Sequence, residues 1–85
     1  MDEFLREINF TASNNFRINV MGKLDENLSD ILGGLSITHK KENNNITSYL
    51  EGRIIDQAEL IGILNTLYNM RFKILSVKIN DKTTV

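Results

Sequence analysis

Two carboxylates three residues apart, Asp56 and Glu59, open the aliphatic run in IIDQAELIGIL, residues 54–64. Acids so placed could act as a general acid and base pair. The same spacing is also that of a helix start. With Asp56 as the N-cap, its side chain accepts a backbone N–H of the first turn. Glu59 is then the third helical residue, able to reach back to the N–H of Asp56. Ile55 and Leu60 take the two positions of a hydrophobic staple, and both acids lie at the positive end of the helix dipole. This cap accounts for both carboxylates without a substrate, so Asp56 and Glu59 are read as structural.

The other chemistry-bearing residues are sparse. His39 is the single histidine, and it stands beside Lys40 and Lys41. It falls near the end of an expected edge strand with no orienting partner in the sequence, which reads as a solvated side chain near a turn rather than a base. Ser29 and Asp30 could pair a nucleophile with a base, but both fit the polar side of a short amphipathic helix. Asp25, Glu26 and Asp30 could approach one cation. The run DENLSD, however, lacks the glycine and the bidentate glutamate of a calcium loop. One histidine and no cysteine cannot build a zinc site. No catalytic, cofactor-binding or metal-ligating residue is assigned, and no cofactor is expected.

The elements that must position these groups follow from periodicity. FRINVMGKL, residues 16–24, alternates as a half-buried strand. Asp25 can cap a short helix in which Leu28, Ile31 and Leu32 share a face, and Gly33 and Gly34 end it. LSITHKK, from residue 35, alternates again. ENNN is a turn, because Asn tolerates positive φ. Residues 46–55 form a third strand with Ile46, Ser48, Leu50, Gly52 and Ile54 on one side. A helix runs from Gln57 to about Met70, with Leu60, Ile61, Leu64, Leu67 and Tyr68 as its buried stripe. Gly62 suggests a close approach of that helix to a strand or a partner. KILSVKIN is the last strand, with Leu75, Val77 and Ile79 inward.

Strand, helix, strand, strand, helix, strand is an α+β order. With right-handed crossovers it gives a ferredoxin-like βαββαβ fold: a four-stranded antiparallel sheet, order 4-1-3-2, with two helices on one face. Gly22 and Gly52 are read as room for helix packing. Residues 1–15 form a lead-in segment, either flexible or packed on the sheet, 16–80 one domain and 81–85 a polar tail.

Composition narrows the partners. The chain has 85 residues, ten basic and eleven acidic, with a net charge of −1. That balance argues against nucleic acid, which needs an excess of Lys and Arg on one face. No run approaches the roughly 20 apolar residues of a membrane span. With no signal-like start and no cysteine, the expected location is the cytoplasm.

GKLDENLSDILGGLSIT, residues 22–38, followed by LEGRIIDQAELIGILNTLYNMRFKILSV, residues 50–77, resembles a family of small bacterial proteins of unknown function. The shared pattern is G-x-L-D…S-D…G-L-x-I-T, then D-Q-A-x-L-x-G…L-S-V. Gly22, Leu24, Asp25, Ser29, Asp30, Gly34 and Leu35 fit the first part. Asp56, Gln57, Ala58, Leu60, Gly62 and Leu64 fit the second, as do Leu75, Ser76 and Val77. Leu28 stands where that family often has Trp, and Ile61 where it often has His. Arg71 and Lys73 stand where Gly and Pro are common. The resemblance implies one fold and no particular activity.

The expected function is a non-catalytic binding or assembly module, a homo-oligomer or a partner for another protein. An ACT-like regulatory domain sensing a small-molecule effector is the alternative, and a small enzyme is a further one. Met21, Tyr49, Ile55 and Ile74 are apolar residues left outside the helix-facing core. They form the candidate interaction face.

Overall fold

The computed structural model describes residues 14–79. The tail from 81 and all of the lead-in but Asn14 and Asn15 lie outside them. Strand β1 spans Asn14–Met21, a 3₁₀ helix η1 Glu26–Leu32, β2 Ser36–Glu42, β3 Asn45–Ile54, helix α1 Gln57–Asn69 and β4 Lys73–Ile79. The architecture is α+β. The four strands form one antiparallel sheet in the order β2-β3-β1-β4. The expected order, written 4-1-3-2, counts the same neighbours from the opposite edge.

Alternation within the strands builds the core. Phe16, Ile18 and Val20 of β1 are fully buried with Leu50 and Ile54 of β3, on the face that carries Ile37 of β2. Leu24, Leu32 and Leu35 close over them from the loops and η1, and Leu60, Ile63, Leu64 and Leu67 from α1. Each such side chain contributes about 1.5–3 kcal/mol when removed from water. The opposite face of the sheet carries no element among the described residues.

Strand β1 ends three residues earlier than expected. Gly22 turns the chain at φ +107, and Leu24 drops from strand register into the core. A Cβ at Gly22 would lie 3.3 Å from the ring of Phe72, and one at Gly52 would lie 2.9 Å from Leu35 Cδ2. These glycines make room for Phe72 and Leu35, not for the helices themselves. The β2–β3 hairpin closes through Asn43 and Asn44, at φ 51 and 68. That two-residue connection needs positive φ at both positions, and Asn tolerates it.

Three expected faces are corrected by the structure. In β4, Asn19 pairs with Ser76 but Val20 pairs with Ile74, so a bulge takes up Leu75. Beyond a bulge the alternation reverses. Ile74 therefore packs on the core in place of Leu75, which is 38% exposed; Val77 faces the core as expected, and Ile79, opposite Phe16 on the same side at the strand end, is 40% exposed. In α1 the stripe is rotated: Ile63 is buried and Tyr68 is 74% exposed. In η1 the tighter 3₁₀ winding leaves Leu32 buried and Leu28 half-buried but turns Ile31 to solvent.

Candidate functional site

The polar groups that could do chemistry are engaged with backbone. Ser48 is fully buried in β3. Its Oγ accepts the N–H of Leu24 at 2.8 Å and donates to the carbonyl of Gly22 at 2.7 Å. His39 pairs with Ser48 across β2 and β3 and lies on the helix side of the sheet. Its Nε2–H donates to the carbonyl of Leu24 at 2.5 Å. His39 is thus half-buried and bonded, not the solvated turn residue that its neighbours Lys40 and Lys41 suggested. Together the two side chains fix the loop between β1 and η1. That loop borders a surface depression of about 540 Å3 lined by Lys23, Asp25, Glu26, Asn27 and His39. Ser29 Oγ donates to the carbonyl of Leu35 at 2.7 Å, tying η1 to the start of β2. Asp25 accepts the N–H of Asn27 at 2.9 Å as the cap of η1.

Asp56 and Glu59 sit at the start of α1. Asp56 Oδ1 accepts the N–H of Glu59 at 2.8 Å, and Glu59 Oε1 accepts the N–H of Ile55 at 2.9 Å. The return bond reaches Ile55 rather than the N–H of Asp56. Ile55 is 63% exposed, so it adds little to a staple with Leu60. Both acids have a helix-starting role in this geometry. Among the described residues, no group of three or more His, Asp or Glu is placed to hold a metal ion.

The four residues of the expected interaction face do not share one surface. Met21 and Tyr49 lie on the open face of the sheet. The β4 bulge turns Ile74 to the helix side, and Ile55 lies in the turn before α1. What the open face holds instead is charge. Its ranks follow from strand pairing: Lys40, Thr47, Met21 and Lys73 cross the sheet in one, then Thr38, Tyr49, Asn19 and Ser76. Ser36, Glu51, Arg17 and Lys78 make the next, and Arg53 lies beyond. With Glu42 at the hairpin end, five cations stand against two acids on this face.

The remaining described charges, three basic and five acidic, lie away from that face. The face is therefore basic in a chain whose net charge is −1. Near its centre the Arg17 guanidinium lies 4.2 Å from the centroid of the Tyr49 ring, and its Nε is 3.4 Å from Glu51 Oε2. The cation–π contact and the pairing with Glu51 keep the Arg17 guanidinium over the Tyr49 ring. The amide oxygen of Asn19, beside this pair, is buried with no hydrogen-bond partner. The sequence carried the signal for this face in the alternation of β1 and β3. Alternation in β4 already put Lys78 there, and Lys73 joined it only through the bulge.

No described helix is long and apolar enough to cross a membrane. Comparison with curated proteins and with solved structures finds no match. A family model described as a domain of unknown function matches residues 15–78, from the second residue of β1 almost to the end of β4. That span holds both helices, all of the sheet but its two end residues Asn14 and Ile79, and every charged side chain of the basic face, and on it the chain belongs to the DUF8691 domain family.

Proposed function

We propose that this domain is a non-catalytic binding module whose working surface is the open face of the sheet, and that its partner is anionic. The observation that carries this is the separation of charge among the described residues: the open face concentrates cations while the helix side and its loops hold five of the seven described acids. A basic surface of this kind attracts a polyanion even when the whole molecule is slightly acidic. The engagement of His39, Ser29 and Ser48 with backbone groups supports a role without catalysis. The neighbour order and the helices on one side support the finer description of the fold as ferredoxin-like. A homodimer built face to face would bring two basic surfaces together, so the charge pattern favours a partner of opposite sign over a second copy on this face.

Retention on a heparin column at low salt tests the reading. The protein should be retained despite its net charge. Replacing Lys40, Lys73 and Lys78 by Glu should abolish retention. The same net change made at Lys23, Lys41 and Arg71, off the face, should weaken it far less. Equal loss from both triple variants, or no retention of the unmodified protein, would overturn the proposal.

A further inference from the structure

We infer that the anionic partner is single-stranded nucleic acid, with its bases lying over the Arg17–Tyr49 pair and its phosphates on the surrounding cations. The inference rests on the binding reading above and narrows it to one class of ligand.

The arrangement of the ranks carries the argument. The rank of Thr38, Tyr49, Asn19 and Ser76 has no charge, one aromatic ring and three hydrogen-bonding side chains. The rank on one side of it ends in Lys40 and Lys73 at the two sheet edges. The rank on the other side holds Arg17 and Lys78 with one acid, Glu51, and Arg53 lies beyond, so this margin is net cationic. A neutral stacking centre between two cationic margins matches a strand whose bases are apolar-faced and whose backbone is charged. Tyr49 and Arg17 stand on β3 and β1, the two central strands, where four-stranded sheets present bases to stacking side chains. Arg17 already lies over the Tyr49 ring. Its guanidinium plane offers the next layer of that stack, and Arg planes as well as aromatic rings receive unpaired bases.

Other anions fit less well. A duplex is read by an element that enters a groove, and among the described residues no helix or ribbon projects from this face. An anionic lipid surface would favour inserted apolar side chains. Met21 is the one exposed large aliphatic in these ranks, with Leu75 at the bulge beside them. The balanced composition argued against nucleic acid because totals do not record which face a charge occupies; a single Tyr with an acid, Glu51, on the same strand face is the other sequence feature that spoke against it.

Fluorescence anisotropy with labelled 12-nucleotide RNA and DNA single strands, and a DNA duplex of the same length, tests this on the full chain. Both single strands should bind more tightly than the duplex. The logarithm of affinity should fall with that of salt at a slope of about −0.7 per phosphate neutralised. Tyr49→Phe should retain binding and Tyr49→Ala should weaken it by about 5-fold or more, since stacking on a ring is kept in the first and lost in the second. Thermal melts of both variants check that the fold persists. If Tyr49→Ala does not melt cooperatively, Arg17→Ala against Arg17→Lys gives the same comparison, with Lys keeping the charge but losing the plane. Duplex bound as tightly as single strand, or Tyr49→Ala and Arg17→Ala binding like the unmodified protein, would overturn the inference. If heparin retention persists in that case, the basic-face reading stands and only the ligand class is wrong. If heparin retention is absent too, both fall.

Discussion

Ser48 Oγ and the backbone N–H of Leu24 meet at 2.8 Å, although 24 positions separate them in the chain. The same hydroxyl donates to Gly22, so one buried side chain satisfies two groups of a loop that leaves strand register. Ser48→Ala removes both bonds and leaves buried backbone groups without partners. Stability should fall by about 1–3 kcal/mol, read from the midpoint of urea denaturation. A midpoint equal to that of the unmodified protein would mean that water replaces the hydroxyl.

Asp56→Ala should destabilise by about 1 kcal/mol, the usual effect of losing an N-cap. Glu59→Ala removes a different bond, to the N–H of Ile55, which precedes the helix and is not one of its unpaired first-turn donors, and it should cost less. Thermal unfolding of the two variants distinguishes them. A larger loss from Glu59 would place the weight of the cap on the wrong acid here.

Gly62→Ala should stabilise. Gly62 is in the interior of α1, and a Cβ added there meets nothing within 4 Å. The structure thus gives no close approach that would require glycine. The gain should be about 0.5–1 kcal/mol, the difference in helix propensity. Calorimetry on the purified variant checks it; a lower melting temperature would contradict an open outer face on α1.

The β4 bulge predicts opposite outcomes for neighbouring positions. Ile74→Asp places a carboxylate against the core and should cost about 1–3 kcal/mol. Leu75→Asp changes an exposed side chain and should stay within about 0.5 kcal/mol. Should Leu75→Asp prove the more damaging of the two in denaturant titrations, β4 alternates without a bulge.

The helix start at Asp56 was legible because its signal is local: a capping acid, a second acid three residues on, and an aliphatic stripe all lie within one short run. The alternation of β1 and β3 was legible for a similar reason, since side chains of a regular strand change face at every residue. Those two strands already placed Arg17, Asn19, Tyr49 and Arg53 on the side away from the helices. The number and order of elements followed from the same patterns and from the turn residues Gly33, Gly34, Asn43 and Asn44.

What the sequence could not determine is long-range. The bulge opposite Asn19 and Val20 arises from pairing between β1 and β4, strands at opposite ends of the domain, and it alone turns Ile74 inward. The partner of His39 is a carbonyl 15 residues away in a loop whose path depends on Gly22 and Ser48. The rotation of α1 that buries Ile63 and exposes Tyr68 depends on where η1 and Gly33 lie: a Cβ at Gly33 would be 2.9 Å from Ile63 Cδ1. The basic face is of the same kind. Composition fixes the total charge. Only the pairing of four strands decides that Lys40, Lys73 and Lys78 share a surface with Arg17 and Arg53, because neighbours across a sheet are set by register and not by distance along the chain.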